Sequence, residues 1–541
     1  MKLQSPTLSF ETLVEWGTRH LEKVIAIDSQ SDASSDTIPS TESQLHLAEV
    51  LSTFFRNLGM KTETDELANV IVTIPSNLPE GRAAEPVAMM VHIDTAEGTQ
   101  AVPYLLVCPK WDGSDLPFPK NKRLHVSVYT YPSLGVFLGD DVLYGPGDAP
   151  VGLDDKLGMA ELMTFARVLA EHPEIHHGDI FLIFRPDEEI GRMDALESLA
   201  DTLVQRGVRY GYTIDGLDPF EVNTENFNAS RVVLTFPFVD VFHEEAPCAR
   251  RLEFRLTGVK THGATAKVEG YRNAILMFAK TIEAIHGVVR VEPVYFQSDH
   301  NAETHANIAV RIYGDTVAEV DDSEKVFWDA LASQTAPHES RGAFVEVLSR
   351  TEGSQTQNHD RGGLDRVMTH IQLFLDTPGP MPVLSEESDG YQGYSNPFFL
   401  DAADDGWRLS YRVRDFDPHV LLQREEHIRA AALLSGLDPS AVETEPQYVN
   451  MGPALADYPE LADWAFEAAR AADYEARRSP IRGGTGVDPF LRRGIPVANL
   501  GTGYFAPESE KELTSRQNIA RHTIWLCLLV QVMAQASGNR Q

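Results

Sequence analysis

Short apolar runs that end in polar residues recur through the first 220 positions of the chain. The clearest of these runs are residues 87–91 before His92, 180–184 before Pro186 and 210–214 before Asp215. Continuous apolar runs of this length are typical of strands that are buried on both faces of a parallel sheet. Between two of them, residues 156–172 place apolar side chains at helical spacing. Strands and helices therefore alternate, which predicts an α/β domain with helices on both faces of a mixed, mostly parallel sheet.

The pattern changes near Asn228 and returns to the first type near Glu460. Residues 251–256 and 407–413 alternate between apolar and polar positions, and a helical pattern at 272–285 lies between them. We therefore predict a discontinuous first domain, residues 1–218 and 448–541. A second, α+β domain at 219–447 is inserted in it.

The composition of the chain argues against a nucleic-acid-binding, membrane-spanning or secreted protein. The chain has 46 Lys and Arg against 80 Asp and Glu, a formal net charge of −34, which disfavours binding to nucleic acid and to anionic membrane surfaces. No stretch reaches the roughly 18 consecutive apolar residues of a membrane helix. The N-terminal residues lack the apolar block of a secretory signal, and three scattered cysteines give no disulfide framework. We expect a cytoplasmic protein that does not span a membrane.

A histidine and several acidic residues follow the predicted strands. His92 and Asp94 follow the first strand, Glu188 and Glu189 the second and Asp215 the third, while Asp154 opens a predicted helix. Ligands gather at the carboxyl ends of the strands in such sheets. Imidazole and carboxylate groups are ligands for divalent cations, and a further carboxylate that does not bind the metal can act as a base.

Each motif also has a simpler interpretation when it is taken alone. His92 with Asp94 is compatible with a strand-end histidine beside an acid, Asp154 with a helix N-cap, and Glu188 with an acidic first helical turn. The order and spacing of all four motifs together form a much stricter pattern, which favours a metal centre.

With these motifs in place, the chain resembles the co-catalytic zinc exopeptidases, the family of carboxypeptidase G, aminoacylase and peptidase T, with peptidase T nearest. The matching segments run in order along the whole chain. They are Pro39-Ser40-Thr41-Glu42, His92-Ile93-Asp94-Thr95, Asp154-Asp155-Lys156, His177-Gly178-Asp179, Pro186-Asp187-Glu188-Glu189, Glu225-Asn226-Phe227-Asn228-Ala229, His262 with Thr265-Ala266-Lys267, Arg414-Asp415-Phe416-Asp417 and Pro480-Ile481-Arg482-Gly483-Gly484-Thr485.

The resemblance implies a role for each residue of the metal centre. His92, Asp154 and Asp215 would bind one zinc ion, and Asp154 would bridge to a second zinc ion that Glu189 also binds. Glu188 would be the general base, and Asp94 would orient His92. The implied fold is the zinc-exopeptidase catalytic domain with an inserted lid and dimerisation domain.

Further implied roles concern the inserted domain. His262 matches a histidine that reaches the active site of the partner subunit and stabilises the oxyanion, so a homodimer is implied. Asn226 and Arg414 match residues that hold the ends of the substrate. For Arg414, a salt bridge with Asp415 or Asp417 is an alternative explanation.

The sequence departs from the family pattern at three places. The final zinc ligand of the family is a histidine, and Glu508 stands at that position when Glu512 is aligned with the family's glutamate; Glu510 is a second candidate. A carboxylate ligand would favour a harder ion, so two divalent cations, zinc or alternatively manganese or cobalt, are expected. The family's G-G-T-D-G-A-R loop is Gly-Gly-Thr-Gly-Val-Asp-Pro at 483–489, and residues from about 289 to 384 are an insertion.

We therefore predict a metal-dependent exopeptidase that releases the N-terminal amino acid from short peptides such as tripeptides. Two alternatives remain open at this point. One is a related amide hydrolase, either an N-acyl amino acid deacylase or a carboxypeptidase, and the other is a catalytically silent relative that binds peptide or metal.

Overall fold

The computed structural model describes residues 3–4, 6, 8–239, 246–261, 263, 265–300, 302–353 and 360–538. The chain divides into two compact units. Unit 1 comprises Met1–Lys122, Val126–Asn226 and Val449–Gln541, and unit 2 comprises Arg123–His125 and Phe227–Tyr448. The sequence pattern had placed the two junctions after residue 218 and after residue 447.

The helices, in chain order, are α1 (Phe10–Ile25), α2 (Glu42–Asn57), α3 (Leu153–Glu171), α4 (Asp194–Gln205), α5 (Ala266–Glu269), α6 (Ala274–Ile285), α7 (Val317–Thr335), α8 (Leu364–Asp376), α9 (Pro418–Leu434), α10 (Gly452–Leu455), α11 (Glu460–Ala471), α12 (Asp488–Arg492) and α13 (Arg516–Gly538).

The strands, in chain order, are β1 (Lys61–Thr64), β2 (Val70–Ile74), β3 (Val87–His92), β4 (Leu106–Cys108), β5 (Val142–Tyr144), β6 (Ile180–Arg185), β7 (Tyr210–Gly216), β8 (Glu221–Asn223), β9 (Asn228–Pro237), β10 (Cys248–Thr257), β11 (Val291–Asp299), β12 (Ala302–Gly314), β13 (Phe344–Glu352), β14 (Tyr394–Ala402), β15 (Gly406–Asp415), β16 (Val442–Tyr448), β17 (Arg477–Arg478), β18 (Val497–Gly501) and β19 (Leu513–Ser515).

Unit 1 is built around a mixed sheet with the strand order β1-β2-β6-β3-β7-β18-β8-β17. Its centre is parallel, from β6 through β3 and β7 to β18, and β2 joins β6 in the antiparallel sense. Every residue of β3 and β6 is buried, as the continuous apolar runs predicted. The α/β fold predicted from the sequence is confirmed. Because β3, β6 and β7 are parallel, the residues that follow their carboxyl ends meet at one edge of the sheet.

The helices of unit 1 bury their apolar faces in one core. Helix α1 begins after Ser9, whose hydroxyl accepts a hydrogen bond from the Thr12 main-chain N–H, and it packs against α3 and α13. The segment Arg516–Ala536 of α13 is long and apolar enough to cross a membrane. However, 78% of its most apolar stretch is buried inside the protein, as expected of a core helix.

Unit 2 contains two four-stranded antiparallel sheets, which share one apolar core. One sheet has the order β11-β12-β10-β13 and the other has the order β14-β15-β9-β16. We call the first sheet with α6 and α7 the inner half, and the second sheet with α8 and α9 the outer half. The insertion predicted at about 289–384 contains β11, β12, α7, β13 and α8.

Candidate metal centre

His92 is the last residue of β3 and is almost completely buried. Its Nδ1 lies 2.9 Å from the main-chain oxygen of Asp94. Because a carbonyl oxygen only accepts, Nδ1 carries a proton, which leaves Nε2 as the nitrogen that can bind a cation. That Nε2 lies 3.0 Å from Oδ1 of Asp154 and 3.6 Å from Oδ1 of Asp215.

The side chains of His92, Asp154 and Asp215 converge on one point. Their candidate ligand atoms all lie within 4.8 Å of one another. Asp154 lies at the start of α3 with a non-helical backbone, and Asp215 is on β7 beside β3. Three of the predicted metal-binding residues are therefore brought together by a helix start and two parallel strand ends. The group fits a divalent cation.

Asp94 organises the residues around the histidine. Its buried carboxylate accepts hydrogen bonds from the main-chain N–H groups of Glu188, at 2.9 Å, and Glu189, at 3.1 Å. Burial alone would raise the pKa of Asp94, but His92 and these two N–H groups outweigh it and lower the pKa. Asp94 touches His92 mainly through its main chain, since its carboxylate oxygen is 3.4 Å from Nδ1. One residue thus connects the histidine to both glutamates.

The two glutamates have different surroundings. Oε1 of Glu188 lies 3.6 Å from Nη2 of the buried Arg185, and the side chain is 17% exposed. Oε1 of Glu189 accepts a hydrogen bond from the Ala96 main-chain N–H. Burial, followed by the charges of Asp154 and Glu508, raises the pKa of Glu189 well above its ordinary value. Asp154 and Glu508 therefore lie close enough to Glu189 for their charges to act on its carboxylate.

Glu508 is positioned by Glu512. The main-chain N–H of Glu508 donates to Oε1 of Glu512 at 3.0 Å. The other oxygen of Glu512 accepts from three consecutive N–H groups, those of Val151, Gly152 and Leu153. Glu510, the second candidate, lies beside Lys511, with 3.8 Å between the Glu510 carboxylate and the Lys511 ammonium. Glu512 thus connects the segment before Asp154 to the segment that bears Glu508.

The site has an excess of acidic groups. Burial, together with the charge of Asp154, raises the pKa of Asp215 to about 7. Burial opposes protonation of His92, but the carboxylates of Asp154, Asp215 and Asp94 outweigh it and raise the pKa of His92. Closely spaced buried carboxylates repel one another, and a bound cation relieves this repulsion. A single imidazole with several carboxylates is compatible with zinc and also with the harder manganese ion.

Two residues of this site were not predicted from the sequence. Tyr504 is buried, and its hydroxyl donates a 2.7 Å hydrogen bond to Oδ2 of Asp154. Arg185 donates to the main-chain oxygen of Thr485 at 2.9 Å. A side chain at Gly486, where φ is +57°, would place a Cβ only 2.6 Å from Nη1 of Arg185, so the guanidinium would have to move. Neither residue has a local sequence pattern that distinguishes it.

The predicted substrate residues have structural partners. The amide of Asn226 donates to the Val449 main-chain oxygen at 3.2 Å and accepts from the Met451 N–H at 2.6 Å. In unit 2, Arg414 donates to two main-chain oxygens, those of Ser230 and Val413, and lies over the ring of Tyr448.

Of the two alternative salt-bridge partners of Arg414, Asp415 forms an ion pair with Arg424 at 2.8 Å, and Asp417 accepts a hydrogen bond from the His419 main-chain N–H. His262 lies outside the described residues. The roles of Asn226, Arg414 and His262 stay predictions.

Comparison with known proteins places this site in a family. The chain is 26% identical to a peptidase T of Macrococcus caseolyticus over 494 residues, which covers 89% of this chain and 90% of the relative. It is 26% identical to a peptidase T of Geobacillus sp. over 521 residues, which covers 95% of this chain and 97% of the relative.

Two solved structures share the fold. An aminoacylhistidine dipeptidase from Vibrio alginolyticus aligns over 97% of this chain and 98% of its own, with a TM-score of 0.53 and 16% identity. A tripeptidase from Staphylococcus aureus aligns over 96% of this chain and 99% of its own, with a TM-score of 0.51 and 15% identity. Residues 138–531 match the sequence profile of peptidase family M20/M25/M40, and the chain belongs to that family.

Proposed function

We propose that the protein is a dinuclear metal aminopeptidase that releases the N-terminal amino acid from short peptides, tripeptides in particular. The observation that supports it best is the cluster of His92, Asp154 and Asp215 beside a glutamate, Glu188, that is anchored through its main chain to Asp94. Family membership supports hydrolysis of a peptide bond. The relatives named peptidase T support action at the N-terminus.

Five residues would hold the two cations. His92, Asp154 and Asp215 would bind the first, and Asp154, Glu189 and Glu508 the second. Bound cations would polarise the peptide carbonyl and lower the pKa of a water molecule. We propose zinc at the first site. Carboxylate ligands are harder than imidazole, so replacement of the family's histidine by Glu508 favours manganese or cobalt at the second.

Glu188 is the proposed general base. It takes the proton from the attacking water and returns it to the leaving amine, so that the peptide bond breaks and an amino acid and a shorter peptide are formed. Arg185, 3.6 Å from Glu188, limits the movement of its carboxylate. By resemblance, His262 donates to the oxygen of the carbonyl as negative charge develops on it. Asn226 and Arg414 would hold the ends of the peptide, with Arg414 suited to its carboxylate.

The expected setting of this activity is the cytoplasm, with a short peptide as substrate and no nucleic acid partner. The net charge of −34 supports the last point, since it repels phosphate groups.

The test is the variant Glu188→Gln, assayed with a free tripeptide after zinc, manganese or cobalt has been added. We expect kcat to fall by about 10²- to 10⁴-fold while metal content, measured by elemental analysis, stays at the wild-type level. Glu189→Gln is the matched control, because it should lower metal content as well as activity. A Glu188→Gln variant that keeps substantial activity would contradict the assignment of the base.

A substrate panel tests the direction of cleavage. An aminopeptidase should hydrolyse the free tripeptide and should not hydrolyse the same peptide with an acetylated N-terminus. A preference for the acetylated peptide would identify a deacylase or carboxypeptidase instead. Absence of hydrolysis of every panel member with every cation would refute the proposal of an enzyme.

A further inference from the structure

The two halves of unit 2 have the same topology. The inner half runs β10, α6, β11, β12, α7, β13, and the outer half runs β9, α8, β14, β15, α9, β16. Each is therefore a strand-helix-strand-strand-helix-strand unit. When the strands of each half are numbered in chain order, both sheets have the order 2-3-1-4, and all neighbouring strands are antiparallel. The insertion thus gives unit 2 two copies of one fold.

The two halves contact each other reciprocally. The second strands of the two halves, β11 and β14, lie beside each other, and the first helices, α6 and α8, pack together. Helix α6 also packs on β14, and α8 packs on β11. In a two-fold symmetric dimer, element i of one copy contacts element j of the other, and j contacts i in return. This is the pattern that the two halves show.

Ser298, a buried residue of β11, forms hydrogen bonds across the boundary between the two sheets. Its hydroxyl donates to the main-chain oxygen of Leu400 on β14 at 3.2 Å and accepts from the Leu400 N–H at 2.9 Å. The main-chain N–H of Ser298 donates to Oδ1 of Asp401. The apolar core is continuous across this boundary. The edge of β11 is therefore occupied by another part of the same chain.

The two outer edges of unit 2, β13 and β16, are poorly suited to pairing with a second copy. Strand β13 bears Glu346, Arg350 and Glu352, and its register with β10 shifts by one residue at Leu348. Strand β16 contains Pro446, which has no N–H to donate, and its register with β9 shifts as well. Charged side chains, proline and bulges are the devices by which natural sheets prevent edge-to-edge association.

We infer that unit 2 is an internal dimer and that the protein functions as a monomer. The inner half occupies, within one chain, the position relative to the outer half that a second subunit would occupy in an isologous pair. The homodimer that the sequence resemblance implies is then unnecessary, because β11 and β14, the edge strands of the two sheets, already lie against each other within one chain. This inference is independent of the proposed reaction, since it rests on the architecture of unit 2 alone.

Sedimentation equilibrium of the full chain tests the inference directly. We expect a single species of 60.0 kDa, the mass of one chain, across protein concentrations from about 0.1 to 50 µM. A species of twice that mass at the concentrations used for assays would overturn it. This measurement does not depend on activity, so it remains decisive if the proposed function fails.

A complementation experiment gives a second, independent readout. The variants Glu188→Gln and His262→Ala are each expected to be inactive. The two variant chains are given different affinity tags and are co-expressed. One portion of the product is then purified through both tags in sequence, and another portion through each tag alone. If the protein is a monomer, no chain is retained through both tags. The co-expressed mixture then has no more activity than the sum of the two variants expressed separately. Activity above that sum would mean that a partner supplies His262, and the inference would be wrong.

Discussion

Removal of the Tyr504 hydroxyl is expected to weaken cation binding at the centre. In the structure Asp154 is held at both oxygens, because Oδ1 contacts Nε2 of His92 and Oδ2 accepts from Tyr504. Burial and the neighbouring Asp154 raise the pKa of Tyr504 well above its ordinary value, so the hydroxyl stays protonated and acts as a donor. Without it, the carboxylate is free to rotate away from the position in which it would bind the proposed cations.

The magnitude follows from this single hydrogen bond. A hydrogen bond to a charged group contributes about 1.5–3 kcal/mol, and loss of a partner that orients a metal-binding carboxylate typically lowers affinity by about 10- to 100-fold. The two estimates agree, because about 1.4 kcal/mol corresponds to a tenfold change in an equilibrium constant. We therefore expect Tyr504→Phe to bind zinc or manganese about 10- to 100-fold more weakly than the wild type.

The assay is competition for the cation with a chromophoric chelator at fixed pH and ionic strength. Tyr212→Phe is the matched control. Tyr212 is also buried in unit 1, but its hydroxyl donates to the main-chain oxygen of Leu461 at 2.8 Å. Its loss should lower the unfolding free energy and leave cation affinity unchanged. Equal or tighter binding by Tyr504→Phe would refute the reasoning, since the hydroxyl would then compete with the cation for Asp154.

Three further predictions concern stability. Glu512→Gln keeps one oxygen that can accept the N–H groups of residues 151–153 but turns an NH2 group toward the main-chain N–H of Glu508, so the unfolding free energy of the metal-free protein should fall by about 1–3 kcal/mol; an unchanged value in chemical denaturation would contradict these bonds. Burial lowers the pKa of His20 from 6.5 to about 3, so between these pH values the histidine binds a proton only when the chain unfolds. The unfolding free energy therefore falls by up to about 4–5 kcal/mol as the pH falls through this window. In His20→Gln, the unfolding free energy should depend less on pH within this window. Parallel plots of unfolding free energy against pH for variant and wild type would contradict this prediction. A divalent cation at about 100 times its Kd should raise the unfolding free energy by about 2.7 kcal/mol, and a chelator should remove this increase. The variant Asp215→Asn should not show the increase. Stabilisation of Asp215→Asn to the wild-type extent would exclude Asp215 as a ligand.

The part of the fold that surrounds the metal centre was predictable because its signals are local. The apolar runs of β3, β6 and β7 permit few interpretations other than buried strands, and parallel strands bring their carboxyl ends to one edge. His92 and Asp215 therefore could be expected to lie close together. The hydrogen-bond geometry was not predictable. Asp94 was expected to orient His92, and the structure places both its main-chain oxygen, at 2.9 Å, and its carboxylate oxygen, at 3.4 Å, beside Nδ1.

The duplication in unit 2 was not predictable from the sequence. Strands β13 and β16 are largely exposed and have weak apolar patterns, so residues 289–384 could be identified as an insertion but not interpreted. The relationship between the halves depends on pairings such as β9 with β15, which lie far apart in the chain. Tyr504 was missed for a similar reason, because its partner Asp154 is 350 residues away.

The nesting of one half inside the other has a consequence for the order of folding. The inner half is contiguous, from residue 248 to 352, and its first and last strands are neighbours, with Arg250 opposite Glu352. Once it has formed, the chain that separates β9 from its partner β15 shortens from roughly 170 to about 60 residues, which lowers the entropic cost of closing that loop by about 1 kcal/mol. We expect the inner half to gain protection from hydrogen exchange first. A half that consists largely of the insertion would then guide the rest of unit 2 into place.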